Sequence, residues 1–298
     1  MIGHLKEGKS VEAKTEINSQ VRSTVDNIIA GPVLIFGGNC SNLEATRAVL
    51  AESKRLGIGP GNVVCTGDVI AFCADPLATV EIMRRSGVRV LMGNCEESLG
   101  LNLEDCGCGF EKGSPCDLLA AEWYAFANRM LGEDARAWMR TLPRRIHLDI
   151  GGRRLAVIHG GARSIGRYIF ASTPPEVKRE EIALTGCDGV LGGHCGLPFT
   201  EVVDGRLWHN AGAIGMPAND GTSRTWYSTI VPRRGGLRIE HHALDYEFAT
   251  AAKKMRQTGL SERFALALQD GLWPNCDVLP EAERVRRGEP VTPGWVEW

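Results

Sequence analysis

The stretch Val88-Arg-Val-Leu-Met-Gly-Asn-Cys-Glu-Glu97 changes character at its glycine. Apolar and β-branched residues end at Gly93, and an amide, a thiol and two carboxylates follow at consecutive positions. Buried strands of α/β proteins end in this way where they deliver side chains into a crevice at their carboxyl ends. We therefore predict a strand that ends at Gly93 and places Asn94, Cys95 and Glu96 in such a crevice.

The bulk composition excludes several classes of function. The chain has 298 residues and a net charge of −2, from 34 basic and 36 acidic residues. This balance indicates neither a nucleic-acid nor an anionic-membrane partner and leaves a small-molecule substrate as the expectation. No apolar run reaches the roughly 18 residues that span a bilayer, and no secretory signal is recognisable, so we predict a cytoplasmic location. The sequence does not indicate an oligomeric state.

The first half of the chain alternates strands and helices. Strands are predicted at Pro32–Phe36, Asn62–Thr66 and the opening stretch, with helices after Asn42 and at Pro76–Arg85. This βαβαβ order predicts parallel strands with right-handed crossovers. Two more helices are predicted at about 118–131 and 134–140, by the spacing of their apolar residues.

The second half indicates antiparallel structure. Three glycine-containing turns predict hairpins, at Gly151-Gly152, Asp204-Gly205 and Arg234–Gly236. One helix is predicted at 175–185. These patterns divide the chain into an N-terminal, partly helical extension (1–30), a main domain (31–245) with a cysteine-rich insertion (98–117), and C-terminal helices with an irregular tail (246–298).

Residues with metal-ligand chemistry follow five of the predicted strands. These strand ends are Gly38-Asn39-Cys40, Gly67-Asp68, Gly93-Asn94-Cys95-Glu96, His159-Gly160-Gly161 and Gly193-His194-Cys195-Gly196. Glycines allow sharp turns and close approach of the backbone. A mixed oxygen and nitrogen set suits zinc, manganese or iron better than magnesium or calcium, which prefer oxygen ligands.

The order Gly-Asp, Gly-Asn, His-Gly, Gly-His resembles that of the calcineurin-like metallophosphoesterases, particularly their compact bacterial phosphodiesterase branch. The resemblance covers about residues 32–242. Further stretches that resemble this branch are Ser41–Ala45, Gly67–Pro76, Leu197–Phe199 and Gly205–Pro217. The resemblance implies an α/β fold, a four-layer α/β/β/α sandwich, and metal-dependent hydrolysis of a phosphoester.

The second of the family's two metal sites is intact at the matching positions. The resemblance implies that Asp68 is the bridging carboxylate and that Asn94, His159 and His194 complete the ligand set. A metal held there would activate a water for attack on a small phosphorylated molecule.

The first metal site departs from the family pattern. Gly38 and Cys40 stand where the family has an Asp and a His, and Gly196 replaces the second His of the last motif. Cys95 stands where the family has the His that assists the leaving group, so Cys95 and Glu96 become the candidate catalytic residues, with His209 as another candidate acid.

Charge limits the number of ions. Two divalent ions about 4 Å apart repel by on the order of 17 kcal/mol at an effective dielectric of 20. Asp68 is the one ligand carboxylate, so the sequence predicts either a single ion or two ions with thiolate ligands. Cys40 and Cys195 are the candidate thiolate ligands beside Cys95, and a nearby cation would lower the pKa of such thiols.

The insertion carries a second group of thiols, Cys106, Cys108 and Cys116. With Cys95 they offer four sulfurs for a second metal or an iron–sulfur cluster, although the paired Cys-x-x-Cys of a structural zinc site is missing. A loop of free thiols is the alternative. Arg163, which follows His159, is a candidate for binding the substrate phosphate, as is Arg167.

Two functions remain open at this stage. The first is a divergent metal-dependent phosphoesterase. The second is a non-hydrolytic thiol and metal protein on the same scaffold, such as a redox sensor or a zinc- or iron-binding protein, and it is motivated by the lost first-site ligands and the clustered cysteines.

Overall fold

The computed structural model describes residues 27–298. In chain order its strands and helices are β1 Asn27–Ile29, β2 Val33–Phe36, α1 Leu43–Arg55, β3 Val63–Cys65, α2 Pro76–Arg85, β4 Arg89–Val90, α3 Asn94–Gly100, α4 Pro115–Met130, α5 Glu133–Thr141, β5 Ile146–Ile150, β6 Arg153–Val157, α6 Pro175–Thr185, β7 Gly189–Gly192, β8 Pro198–Val203, β9 Arg206–Ala211, β10 Thr225–Arg233, β11 Gly236–Leu244, α7 Phe248–Gln257, α8 Glu262–Asp270, α9 Glu281–Arg284 and β12 Trp295–Glu297. A short 3₁₀ turn, Pro60–Asn62, precedes β3.

The strands form two six-stranded mixed sheets. The first sheet has the order β1-β5-β6-β7-β9-β8, and the second has the order β12-β11-β10-β2-β3-β4. Strands β2, β3 and β4 run parallel to one another, as do β6, β7 and β9. The carboxyl ends of both parallel sets therefore supply the turns that carry the candidate ligands.

The core between the sheets is built from alternate residues of the central strands. In β2, Val33 and Ile35 pack between the two sheets, whereas Leu34 and Phe36 pack against the helices outside the second sheet. Because side chains alternate along a strand, a strand that is apolar at every position is buried on both faces. This explains why the parallel strands are continuous apolar runs in the sequence.

Helices cover the outer faces of both sheets. Apolar residues of α1, α2, α4, α5, α7 and α8 join one large core outside the second sheet. Ile182 of α6 packs with Val190 and Trp208 outside the first sheet. The predicted four-layer α/β/β/α sandwich is therefore confirmed. None of the helices in the described range 27–298 is long and apolar enough to cross a membrane.

The predicted hairpins, β5/β6, β8/β9 and β10/β11, are all present. The helices predicted at 76–85 and 175–185 have those bounds in the structure. The insertion is shorter than predicted, because α3 continues to Gly100 and α4 begins at Pro115. The tail predicted as irregular contains α9 and the edge strand β12.

The N-terminal extension was predicted to be partly helical and to lie outside the fold. Its residues 1–26 lie outside the described part of the chain, and the domain boundaries stay a prediction. Ile28 and Ile29, which contributed to the helical pattern, lie instead in β1, which pairs in parallel with β5. Backbone pairing at the sheet edge outweighs the weak helical spacing of these β-branched residues.

Candidate metal centre

Four strand ends from the two sheets meet at one point. Asp68 follows β3 and Asn94 follows β4 in the second sheet, whereas His159 and His194 follow β6 and β7 in the first. The approach requires a glycine at position 67, where φ is +99°. A Cβ added at Gly67 would lie 2.7 Å from the backbone nitrogen of Gly93 and 2.8 Å from Nδ1 of His159.

Two of the ligand residues have an uncommon backbone conformation. Asp68 has a φ of +55° and His194 has a φ of +62°. Left-handed residues other than glycine are uncommon, and they occur often where the surrounding structure holds a functional side chain in place. Asp68 lies three residues after the end of β3 and His194 two residues after the end of β7, so the turn that follows each strand directs the side chain into the junction of the sheets.

The ligand atoms converge closely. Those of Asp68, His159 and His194 all lie within 4.8 Å of one another. Oδ2 of Asp68 is 3.2 Å from Nε2 of His159 and 3.9 Å from Nδ1 of His194, and the two histidine nitrogens are 3.1 Å apart. Oδ1 of Asn94 is 2.9 Å from Nε2 of His159, so the amide belongs to the same group.

Opposite charges dominate the electrostatics of this group. Burial by itself would raise the pKa of Asp68, but the neighbouring His159 and His194 hold that pKa well below its ordinary value. Burial would lower the pKa of His159, but the charge of Asp68 and hydrogen bonds to Asp68 and Thr66 raise it overall. The pKa of His194 is lowered, with burial as the largest cause. Asp68 is therefore ionised and compensates positive charge at this point.

The donor set fits a divalent transition-metal ion. Nδ1 of His159 lies 2.7 Å from the carbonyl oxygen of Thr66, which fixes the ring and turns Nε2 toward Asp68. A metal-binding histidine usually has such a partner on its other nitrogen. The ring of Tyr168 lies 4.0 Å from that of His194, centroid to centroid, and supports the second histidine. One carboxylate, one amide oxygen and two imidazoles would hold the ion.

Asn94 is oriented by the insertion. Its amide nitrogen donates to the carbonyl oxygen of Cys106, at 2.8 Å, and contacts Sγ of Cys108, at 3.4 Å. These contacts turn Oδ1 of Asn94 toward His159. The insertion therefore supports the metal centre through the orientation of one ligand.

Glu96 has a different position from the one expected of a catalytic acid. Its carboxylate is fully buried and accepts hydrogen bonds from the backbone nitrogens of Asp68, at 2.8 Å, Ile70, at 3.0 Å, and Gly93, at 2.9 Å. Burial and the charge of Asp68 raise its pKa to about 7. Both oxygens are engaged by backbone donors, so Glu96 ties the turn that carries Asp68 to the start of α3.

Cysteines lie around the centre without joining it. Among the described residues, Asp68, His159 and His194 are the one set of three or more such ligand atoms that lies close enough to hold an ion, and no thiol belongs to it. Burial, followed by the charge of Asp68, raises the pKa of Cys40 and of Cys95 well above the ordinary value. These directions hold for the chain without a bound ion, and the lowering of the thiol pKa by a nearby cation stays a prediction.

Cys195 also departs from the predicted ligand role. Its Sγ accepts from the amide of Asn210, at 3.1 Å, and lies 3.6 Å from the carbonyl oxygen of Leu197. The side chain is buried with Phe170 and Leu279.

The insertion does not bring its sulfurs together as a cluster. Cys106 and Cys108 are joined by a disulfide bond, and Sγ of Cys116 lies 3.3 Å from Oδ1 of Asn275. The predicted four-sulfur site with Cys95 is therefore not formed. Two cysteines separated by one residue are close enough to bond to each other, which removes both as thiolate ligands.

The first-site positions of the family form the wall of a cavity. Gly38, Cys40 and Gly196 all line a cavity of about 130 Å³ that opens beside Asp68 and His194. A Cβ added at Gly196 would lie 3.3 Å from the ring of Trp273, and one added at Gly38 would lie 3.0 Å from Sγ of Cys40. These three positions provide one thiol and neither a carboxylate nor an imidazole.

The remaining candidates lie away from the centre. Arg163 is exposed and is not among the residues that line the cavity, and its role in substrate binding stays a prediction. Arg167 pairs with Glu181. His209 is fully buried in β9, and its Nδ1 lies 2.8 Å from Oγ1 of Thr200 on the neighbouring strand β8.

Comparison with known proteins agrees with this geometry. The calcineurin-like phosphoesterase superfamily domain matches residues 34–230, which is most of the described chain. The chain belongs to this superfamily. An uncharacterized protein of Methanocaldococcus jannaschii is 24% identical over 239 residues, which are 74% of this chain and 90% of the relative.

Two solved structures share the superfamily fold. A metallophosphoesterase from Sphaerobacter thermophilus is 22% identical, with a TM-score of 0.63 over 82% of this chain and 100% of that one. A hypothetical protein from Pyrococcus horikoshii is 15% identical, with a TM-score of 0.67 over 81% of this chain and 99% of that one. Superfamily membership and the Asp–His–His group together support a metal-dependent hydrolase of the phosphoesterase type.

Proposed function

We propose that the protein hydrolyses a small phosphorylated molecule and holds one zinc, manganese or iron ion through Asp68, Asn94, His159 and His194. The observation that carries this proposal is the convergence of the ligand atoms of Asp68, His159 and His194 within 4.8 Å at the mouth of a cavity. When bound, such an ion lowers the pKa of water and polarises a phosphoryl oxygen.

The residues of the chain have separate tasks in this proposal. Asp68 provides the negative charge, and Thr66 keeps His159 in one orientation. Glu96 holds the turn that carries Asp68 in place by accepting a hydrogen bond from the backbone nitrogen of Asp68. Cys95 lines the cavity whereas Glu96 does not, so Cys95 is the better placed of the two candidates for assisting the leaving group.

The test is hydrolysis by full-length protein that is purified under reducing, oxygen-free conditions and loaded with one metal at a time. We expect about one ion per chain and metal-dependent release of p-nitrophenolate from p-nitrophenyl phosphate or bis(p-nitrophenyl) phosphate. Protein that binds its ion and turns over neither ester with zinc, manganese or iron would overturn the proposal.

A thiol-based function on the same scaffold is the competing proposal. The observation that favours it is that four free cysteines line one cavity: Cys40, Cys95, Cys116 and Cys195. Its signature would be a charge-transfer or iron–sulfur absorption band that disappears in Cys40→Ser and Cys95→Ser. A colourless protein whose metal content is the same in both variants excludes it.

A further inference from the structure

The cavity beside the metal centre begins where the first metal site of the superfamily would be. Gly38, Cys40 and Gly196 line it. Asp68 and His194 line it as well. Its volume is about 130 Å³. An apolar cavity of roughly 150 Å³ accommodates a benzene molecule, so this one has room for a single aromatic ring.

Six aromatic side chains line the cavity. They come from loops and helices on every side of it: Phe72, Phe110, Trp123, Tyr168, Phe264 and Trp273. Within the described chain, no lysine or arginine lines the cavity, and Asp68 is its one carboxylate. An anionic phosphoryl group would lose its hydration in such a space without a compensating cation, whereas an uncharged apolar group gains by entering it.

The wall is held in place rather than loosely folded over the opening. Nε1 of Trp273 donates to the carbonyl oxygen of Pro217, at 2.7 Å, and its backbone nitrogen donates to Oδ1 of Asn219, at 2.8 Å. The ring thereby packs on Gly196, where any larger residue would meet it. The cavity is therefore a preformed part of the site.

Part of this wall lies outside the superfamily domain. Phe264, Trp273, Pro274 and Val278 all follow residue 230, at which the domain match ends. The metal centre comes from the shared scaffold, whereas the cavity is completed by the C-terminal part of this chain. A feature that selects substrates is expected in such an added segment.

We propose that this cavity binds the alcohol part of the substrate ester, an uncharged group about the size of one aromatic ring. The phosphoryl group lies outside it, at Asp68 and His194. The substrate class is thus a phosphate ester of an arylmethyl or similar apolar alcohol. This inference rests on the proposed function for the reaction, but the binding of the alcohol alone does not depend on turnover.

The first experiment measures binding of benzyl alcohol, through the change in tryptophan fluorescence, to full-length protein. Ala120 lies on α4 in the cavity wall. Ala120→Leu should weaken the binding of benzyl alcohol by at least about 10-fold, because a misfit of one methylene in a closed apolar site changes binding by about that factor. Ala125→Leu, on an exposed position of the same helix, is the matched control and should leave binding unchanged.

The second experiment compares hydrolysis of benzyl phosphate and methyl phosphate, whose alcohols are similarly basic leaving groups. We expect kcat/KM to favour benzyl phosphate by at least about 10-fold, and Ala120→Leu to remove that preference by lowering kcat/KM for benzyl phosphate more than for methyl phosphate. If neither ester is hydrolysed but benzyl alcohol binds in the Ala120-dependent way, the phosphoesterase proposal fails and the cavity assignment stands.

A third variant guards against misfolding of Ala120→Leu. Trp273→Ala enlarges the cavity and should let 2-naphthalenemethanol bind, whereas the wild-type protein excludes this two-ring alcohol. The inference is overturned if benzyl alcohol does not bind to the wild-type protein, or if its binding is the same in Ala120→Leu and Trp273→Ala as in the wild type.

Discussion

Two pairs of histidines lie in this sandwich at almost the same spacing, and they differ in chemistry. The rings of His159 and His194 are 5.0 Å apart, and those of His209 and His241 are 4.9 Å apart. The first pair surrounds the carboxylate of Asp68. The second pair is bridged by a hydroxyl, because Oγ1 of Thr200 lies 2.8 Å from a nitrogen of each ring.

Of these two pairs, the first contains a ring with a raised pKa, His159, although burial lowers the pKa of its other ring, His194. Asp68 raises the pKa of His159, whereas burial lowers the pKa of His209 well below the ordinary value and that of His241 to about 4. A hydroxyl can donate to one ring and accept from the other, but it adds no charge. Proximity of two histidines therefore does not by itself form a candidate metal-ligand group, whereas a partly buried carboxylate beside them completes one.

The largest effect is expected from removing that carboxylate. Asp68→Asn preserves the shape of the side chain and tolerates the left-handed backbone. It should weaken metal binding by more than about 100-fold and abolish hydrolysis, because loss of even a residue that only hydrogen-bonds to a ligand reduces metal affinity by about 10- to 100-fold. Elemental analysis after dialysis checks this. His241→Gln at the second pair should retain the metal, and loss of metal in both variants alike would contradict the comparison.

Acid should destabilise the folded protein through the second histidine pair, His209 and His241. A histidine with a depressed pKa in the folded state binds a proton more readily when unfolded, so its stabilising contribution is present above about pH 6.5 and is lost as the pH falls toward 4. For His241 this loss is on the order of 3 kcal/mol. Urea unfolding at a series of pH values measures it.

The control for the acid effect is removal of the titrating ring. His241→Gln should flatten the dependence of the unfolding free energy on pH between 6.5 and 4. His242→Gln, at a half-buried ring whose pKa is also lowered, should flatten it less. An unchanged slope in His241→Gln would show that the acid sensitivity arises elsewhere.

Substitution of Glu96 tests whether this residue holds the turn that carries Asp68 in place. Glu96→Gln replaces one acceptor oxygen by an amide donor that faces backbone N–H groups, which should reduce the unfolding free energy by about 1 to 3 kcal/mol. Glu97→Gln on the same helix removes a salt bridge with Arg144 and should cost less than about 1 kcal/mol. Equal losses in the two variants would argue against the role assigned to Glu96.

The smallest effect should come from giving the second pair a carboxylate. Thr200→Asp places a negative charge beside both rings and should raise the pKa of His241 from about 4 toward the ordinary histidine value. NMR titration of the ring protons of His209 and His241 measures this change. Rings that still titrate as in the wild type would contradict the importance given to the carboxylate.

The strand-end pattern predicted which side chains converge, because parallel strands expose their carboxyl ends at one edge. Asp68, His159 and His194 each follow a glycine-containing or apolar strand, and the structure places their ligand atoms together. Asn94 joins them through His159. Local signals were sufficient here, since each ligand lies within a few residues of its strand.

The start of α3 was missed, although a signal was present. Glu96 is the third residue of the helix and its side chain accepts from the backbone nitrogen of Gly93, as in half of a capping box. A glutamate three residues after a strand-ending glycine can therefore be interpreted as a helix start. We had interpreted the carboxylate of Glu96 as a candidate catalytic group instead.

Contacts between distant segments could not be predicted in this way. Trp273 meets Gly196, and Tyr168 stacks on His194, through packing that no spacing in the sequence indicates. The disulfide between Cys106 and Cys108 likewise replaced the expected cluster of free sulfurs. These contacts depend on how loops fold over the sheets.

The sequence by itself determined the sandwich, the strand ends that carry Asp68, His159 and His194, and the absence of carboxylate and imidazole at Gly38, Cys40 and Gly196, because strand periodicity and residue type are local properties. Only the tertiary structure decided what took the place of that site. An aromatic cavity formed there because the C-terminal tail packs Trp273 on Gly196, and such a contact arises from the global arrangement of apolar surfaces.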